Sequence, residues 1–268
     1  MELTWQIIIF LILLGFIAGT ISVIAGVGGG VFFVSFLTLF FFIPINEAID
    51  TSIFIILISS GAGFITYLKD KRIALKPTLI FTTFSVLGSF TCMLIFLFVK
   101  IDNTILKILF VITLMITGVN MTYKAVKSRK KLRGKTEIEK ELEFSLKDHD
   151  YKANLPKAIP LFFLAGFLGY LLGIGGGVIN TPVLHIILGY PIHNSTAIST
   201  GIIFFTAIVN VILKIYLGKI NYIVGVFVSI GSVGGAILGA KISKKMPKNQ
   251  LQFFVGIILI YIAIRMYI

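Results

Sequence analysis

Hydrophobic positions in this chain come in long unbroken blocks, not in the interrupted patterns of a soluble fold. Residues 3–46 and 158–213 contain no Asp, Glu, Lys or Arg, runs of 44 and 56. Shorter uncharged runs cover 51–68, 77–99, 108–123, 220–240 and 249–264. A helix needs roughly 20 apolar residues to cross the hydrocarbon layer, so the pattern predicts an all-α, polytopic membrane protein. Glycines, prolines and short polar turns divide the blocks into segments at 5–25, 31–43, 46–68, 77–99 and 104–123, then 158–172, 178–188, 195–217, 222–240 and 251–267. Segments 31–43 and 178–188 are short enough to be re-entrant half-helices. The predicted organisation is a first membrane repeat over 1–123, a polar loop over 124–157 and a second repeat over 158–268.

The two halves share sequence at an offset of 147: Phe16-Ile17-Ala18-Gly19 aligns with Phe163-Leu164-Ala165-Gly166, and Gly26 to Val31 aligns with Gly173 to Val178. Eight of the sixteen columns from Phe16 to Val31 are identical, and Pro44 falls on Pro191. A two-residue insertion in the second half would then align Ala48-Ile49-Asp50-Thr51 with Ala197-Ile198-Ser199-Thr200. An odd number of segments per half inverts the second half relative to the first. With the central loop in the cytoplasm and both termini outside, 19 of the 24 Lys and Arg fall on the cytoplasmic side, as the positive-inside rule requires.

Composition sharpens this picture. The chain is 57% hydrophobic and 13% charged with a net charge of +13, and that charge sits in loops between apolar runs, which argues against nucleic-acid binding. Residues 124–135 form a basic cluster beside a membrane segment, suited to anionic lipid. Thr136 to Glu139 has capping-box spacing, and Ile138, Leu142 and Leu146 recur at four-residue steps, so a short amphipathic helix is expected within an otherwise solvated linker. The N-terminal residues lack the basic region of a cleaved signal, and the first apolar run is read as a membrane segment. The single cysteine, Cys92, excludes an intramolecular disulfide and a paired-Cys site. The three histidines have no acid at metal-ligand spacing, and nothing assembles a nucleophile, base and orienting group. No enzyme activity, cofactor or metal is expected; a homo-oligomer is compatible with the pattern.

Matched halves with Gly- and Pro-broken elements are the recurring plan of secondary transporters, whose substrates sit where the halves meet. Gly28, Gly29 and Gly30 with Gly175, Gly176 and Gly177 could present backbone N–H groups to an anion; the same glycines could serve close helix packing. Thr51, Ser52, Ser199 and Thr200 follow the two prolines and are candidate polar ligands, or simply first-turn residues of helices capped by Asn46 and Asn194. Ionisable groups inside apolar runs are functional candidates. His185 could couple protons or hydrogen-bond a backbone carbonyl. Asp50 could bind an ion or favour a helix start. His193 and Lys214 are expected at the interface, Lys214 by snorkelling.

The paired Gly-x-Gly-Gly-Gly-Val blocks, the short segments ending in proline and the following Ala-x-x-Thr element resemble the TauE/SafE family of bacterial sulfite and organosulfonate exporters, over essentially the whole chain. The resemblance implies a permease of the bacterial inner membrane that moves a small sulfur-containing anion by alternating access. Gly175-Gly176-Gly177-Val178-Ile179-Asn180-Thr181-Pro182 carries the family's Gly-Gly-Gly-x-x-x-x-Pro form. The first half departs from it, with Ser35 at the proline position and Asp50 where the family commonly has glycine. An acid there would repel an anion unless neutralised. The alternatives are a cation-coupled permease for another metabolite, with Asp50 as ion ligand, and a non-transporting membrane scaffold.

Overall fold

The computed structural model describes residues 4–99, 102–131, 151, 154–243 and 248–267. The amphipathic stretch expected over 136–150 lies outside them, as do the basic side chains of the 124–135 cluster. The chain is all-helical as the apolar blocks predict, with α1 (Trp5–Ala25), α2 (Gly30–Phe41), α3 (Ile45–Lys69), α4 (Leu75–Phe98) and α5 (Asn103–Lys131) in the first half. The second half holds α6 (Leu155–Leu172), α7 (Gly177–Pro182, continued by a π-helical turn over Val183–Ile187), α8 (Ile192–Leu217), α9 (Tyr222–Ile242) and α10 (Lys248–Tyr267).

Seven of these helices are long and apolar enough to cross a bilayer. Helix α2 has 12 residues, about 18 Å at the α-helical rise and well short of a roughly 30 Å hydrocarbon core. Helix α7 is shorter still. Pro182 has no N–H to give to the carbonyl four residues back, and the ladder beyond it widens, with Leu188 N–H reaching the Val183 carbonyl at 3.1 Å.

Several packing contacts of one half recur in the other at the offset of 147. Helices α1 and α9 lie so close that a Cβ on Gly19 would meet Ser232, and one on Gly235 would meet the Phe16 carbonyl. Helices α6 and α4 repeat this with Gly166 against Ser85 and Gly88 against Phe163. Both pairs run parallel: Gly15 faces Val228 and Gly19 faces Ser232, while Ser85 and Ser89 donate to the carbonyls of Phe162 and Gly166, each at 3.0 Å. Helix α9 also packs on α3, and α4 on α8. The fourth helix of each half therefore belongs to a bundle built on the other half, and small residues allow the close approach.

Helices α3 and α8 form the centre. They run antiparallel, with Gly61 facing Phe204 and Gly63 facing Thr200. In their most apolar stretches 72% and 67% of residues are buried, against 28% for α5. Helices α5 and α10 pair with each other. Apolar side chains such as Ile9, Leu13, Leu87, Phe90, Ile112 and Ile230 point outward, the surface expected of a chain in lipid.

Two sequence expectations are corrected. The backbone carries no two-residue insertion: α3 and α8 start at Ile45 and Ile192, and α4 and α9 at Leu75 and Tyr222, each pair 147 apart. Left-handed residues at Phe42 (φ 53°) and Gly189 (φ 73°) keep the same spacing. The Ala-Ile-x-Thr similarity is thus a recurrence of residue types on apolar helices, not backbone equivalence. Asn46 and Asn194 are not N-caps either. Pro44 and Pro191, extended at ψ 140° and 146°, precede these helices and no side chain caps them; the asparagines lie inside the first turn.

The asparagine that does cap is Asn221. Its Oδ1 accepts from Val224 N–H at 3.3 Å, its Nδ2 donates to Glu47 at 3.0 Å, and its own N–H donates to Thr51 Oγ1 at 3.0 Å. This one residue ties the α8–α9 turn to the start of α3. Asn221→Ala is expected to cost about 1–2 kcal/mol, read as a lower melting temperature of the detergent-purified protein.

Candidate functional site

Both halves break their first helix in the same way. After α1 and α6 the chain enters left-handed glycines, Gly26 (φ 63°) and Gly173 (φ 65°), followed by Gly28 (φ 82°) and Gly175 (φ 76°). The two turns then abut between α3 and α8. A Cβ on Gly30 would fall on the Gly173 carbonyl, and one on Gly177 would fall on Val27.

Serines of the central helices tie the turns down. Ser52 Oγ donates to the carbonyls of Gly173 (2.9 Å) and Ile49 (2.7 Å). Ser199 Oγ donates to the Gly26 carbonyl at 3.2 Å, which also accepts from Thr181 Oγ1 at 2.5 Å. Ser52 and Ser199 are themselves 147 apart. The other two predicted hydroxyls also have partners: Thr51 accepts from Asn221 N–H, and Thr200 donates to the Thr196 carbonyl at 2.9 Å.

Two small cavities, each about 10 Å³, lie beside this crossing, and Ile56 and Ile203 line both. One is bounded by Gly28, Gly29, Ser22, Ser59, Ser60 and Thr200. The other is bounded by Gly175, Ser85, Asn180, Thr206 and Asn210. Each is close to the space one water needs. A larger cavity of about 250 Å³ lies on the far side of α7, between the α1–α2 turn and α5, where Gly177, Thr181, Thr117 and Asn120 supply its polar lining. The six predicted glycines are thus together at the crossing, and Gly28, Gly29, Gly175 and Gly177 line cavities.

The predicted ionisable residues are not brought together there. Asp50 Oδ1 lies 2.6 Å from Lys214 Nζ, and its Oδ2 accepts from Lys219 N–H at 2.8 Å. Lys214 does not snorkel: it is only 9% exposed, with its ammonium 4.4 Å from the Tyr170 ring centre and 5.9 Å from that of Phe96. The expectation fails because Asp50, on the neighbouring central helix, supplies the countercharge that a desolvated ammonium needs. His185 sits in the π-turn of α7, exposed, with Nδ1 2.9 Å from the Tyr190 carbonyl; it lines none of these cavities. The His193 carbonyl accepts from Arg72 at 2.9 Å.

Sequence reasoning overlooked Asn180, Thr206 and Asn210. A signal was present: Thr206 and Asn210 stand four residues apart inside an uncharged run, and such a pair shares one helix face.

With this geometry in view, the chain can be set beside known proteins. The family model described as "Sulfite exporter TauE/SafE" matches residues 11–266. The "Probable membrane transporter protein YunE" of Bacillus subtilis (strain 168) is 27% identical over 271 residues, covering 95% of each chain. The "Probable membrane transporter protein MJ0441" of Methanocaldococcus jannaschii is 31% identical, covering 93% of this chain and 91% of its own. A second Bacillus subtilis relative, "Probable membrane transporter protein YdhB", is 28% identical over 92% of this chain and 93% of its own. No solved structure matches the chain at a significant level. A family match over nearly the whole length, on a multi-pass helical bundle, means that the chain is a membrane transporter, not an enzyme, and belongs to the sulfite exporter TauE/SafE family.

Proposed function

We propose that this transporter moves a small anion, of the sulfite or organosulfonate class, across the bacterial inner membrane by alternating access of two inverted halves. The observation that carries the reading is the pair of glycine turns abutting between α3 and α8, with a 250 Å³ cavity on one of them. Such broken elements at matching positions are where secondary transporters hold substrate, and 250 Å³ is room enough for a small sulfonate. The interleaved bundles supply two bodies that can rock: α1, α3 and α9 in one, and α6, α8 and α4 in the other. Gly28, Gly29 and Gly30 with Gly175, Gly176 and Gly177 are the proposed backbone donors, and Thr200 adds a hydroxyl in the small cavity beside Gly28. The substrate class comes from the family description, since the relatives' names say only that they are probable membrane transporters. The charge asymmetry supports a cytoplasmic central loop, outer termini and contact of the 124–135 cluster with anionic lipid.

The cation-coupled alternative has less support, because both carboxylate oxygens of Asp50 are already engaged, by Lys214 and by the Lys219 N–H. Proteoliposomes loaded with labelled sulfite, sulfoacetate or an unrelated anion test the reading. Saturable flux of a sulfur anion is expected. Flux of other solutes alone would remove the substrate class, and no flux of any solute would favour a scaffold.

A further inference from the structure

Most hydroxyls in the helices of this chain spend their proton on a backbone carbonyl, as Ser60, Thr66, Thr78, Thr82, Thr113 and Thr200 do. Thr206 does not. It lies on α8 at the glycine crossing, 5% exposed, and its Oγ1 has no hydrogen-bond partner among the described residues. The Oδ1 atoms of Asn210, one turn further on, and of Asn180 on α7 are in the same condition, at 3% and 1% exposure. All three side chains line the same small cavity, which contains no charged residue.

A buried polar atom without a partner destabilises the fold, and three around one cavity call for a reason. Symmetry does not provide it. The positions 147 residues earlier are Phe33, Ser59 and Gly63, and Ser59 and Ser60 both turn to the Ile56 carbonyl. The two cavities are therefore alike in place and unlike in chemistry: Ser59 is satisfied where Thr206 is not, and only one of the two is lined by asparagines. A hydroxyl with an uncommitted proton and two amides that can turn their NH₂ ends inward offer neutral donors. That set suits an oxyanion without a buried countercharge.

At about 10 Å³ this cavity is closed to a sulfonate, so the ligand requires it to open. Helix α7 is the partition. Asn180 faces the small cavity, while Val178, Ile179, Thr181 and Pro182 line the 250 Å³ one behind it. The π-turn that follows Pro182 is the kind of local irregularity that gathers at functional sites. We propose that Asn180, Thr206 and Asn210 are the polar ligands of the transported oxyanion, reached from the larger cavity when α7 moves off α8. This rests on the transport reading above and names the side chains that the glycine turns alone leave unassigned.

The test uses the full chain in proteoliposomes, first establishing which sulfur anion the wild type carries. Asn180→Leu, Asn210→Leu and Thr206→Val should each lower kcat/KM for that anion roughly 10- to 100-fold, mainly through KM. Their melting temperatures should hold or rise, because each removes an unpaired buried atom. Thr206→Val keeps the side-chain volume and carries the test if a leucine variant does not fold. Asn210→Asp should abolish flux by setting a carboxylate against the anion. Wild-type KM in the folded variants would mean that the three groups hold a structural water only, which overturns the proposal while the transport reading stands. Flux through Asn210→Asp that becomes dependent on sodium would assign the site to a cation and overturn it as well. A wild type that moves no sulfur anion would remove the substrate class proposed above, and this assignment with it.

Discussion

Asp50→Asn is expected to destabilise the folded protein by about 3–5 kcal/mol, while Asp50→Asn combined with Lys214→Met recovers most of that loss. In the native chain the two charges meet at 2.6 Å, with side chains only 9% and 11% exposed. The single substitution leaves an ammonium in the bundle facing the rings of Tyr170 and Phe96. Such contacts are worth about 2 kcal/mol when desolvated, less than the cost of stranding the charge. The double variant removes both charges, so no uncompensated ion is left in the bundle, and an amide oxygen at position 50 can still accept from the Lys219 N–H. Melting of the purified proteins in detergent decides it. A single variant as stable as the wild type would mean that Asp50 is no anchor for Lys214. The pair also answers the difficulty that an acid raises for the proposed anionic substrate. Lys214 stands 147 residues after Tyr67, and Asp50 stands 147 before Ala197. The ion pair joins the two halves and has no counterpart at those positions, so the charge of Asp50 is cancelled where it stands.

How much of this was legible beforehand depended on whether the signal was local. The segments, the glycine breaks and the pairing of halves were readable because hydrophobic run length and residue identity are one-dimensional. The register of α3 against α8 was not. Ala48 to Thr51 and Ala197 to Thr200 look alike, yet the prolines and helix starts keep the 147 spacing, and only the backbone separates the two alignments. Lys214 was misread for a related reason. A lysine near the end of an apolar helix normally reaches for water, and its partner lies 164 positions away on a helix that sequence cannot orient. Of the predicted hydroxyls, Ser52, Ser199 and Thr200 stand at the crossing and Thr51 at the α8–α9 turn, each with a partner of its own. The uncommitted polar atoms lie on α7 and the middle of α8, where nothing in the sequence distinguishes a free amide from a satisfied one.

Gly30→Ala is expected to abolish recovery of folded, monodisperse protein, a larger effect than the roughly 1–3 kcal/mol of ordinary overpacking. The added Cβ would fall on the carbonyl oxygen of Gly173 and lie 2.7 Å from both its carbon and the Ile174 Cα. These are backbone atoms, so no rotamer change relieves the overlap. Nor can the opposing turn retreat. On its other side the space beside the Gly173 Cα is filled by Ser52 Oγ and by the Ile49 carbonyl, 2.8 Å from where a Cβ there would stand. Ser52 also holds the Gly173 carbonyl at 2.9 Å. The load therefore passes into α3, the most buried helix of the bundle. Gly234→Ala on α9 is the matched control. Its Cβ would meet the Phe16 ring at 3.4 and 3.6 Å, an ordinary contact, and the helix gains about 1 kcal/mol of intrinsic propensity. Size-exclusion profiles and melting curves of the two variants separate a turn that must touch its partner from a helix that merely tolerates small residues. A Gly30→Ala protein that folds and melts like the wild type would mean that the two glycine turns do not abut.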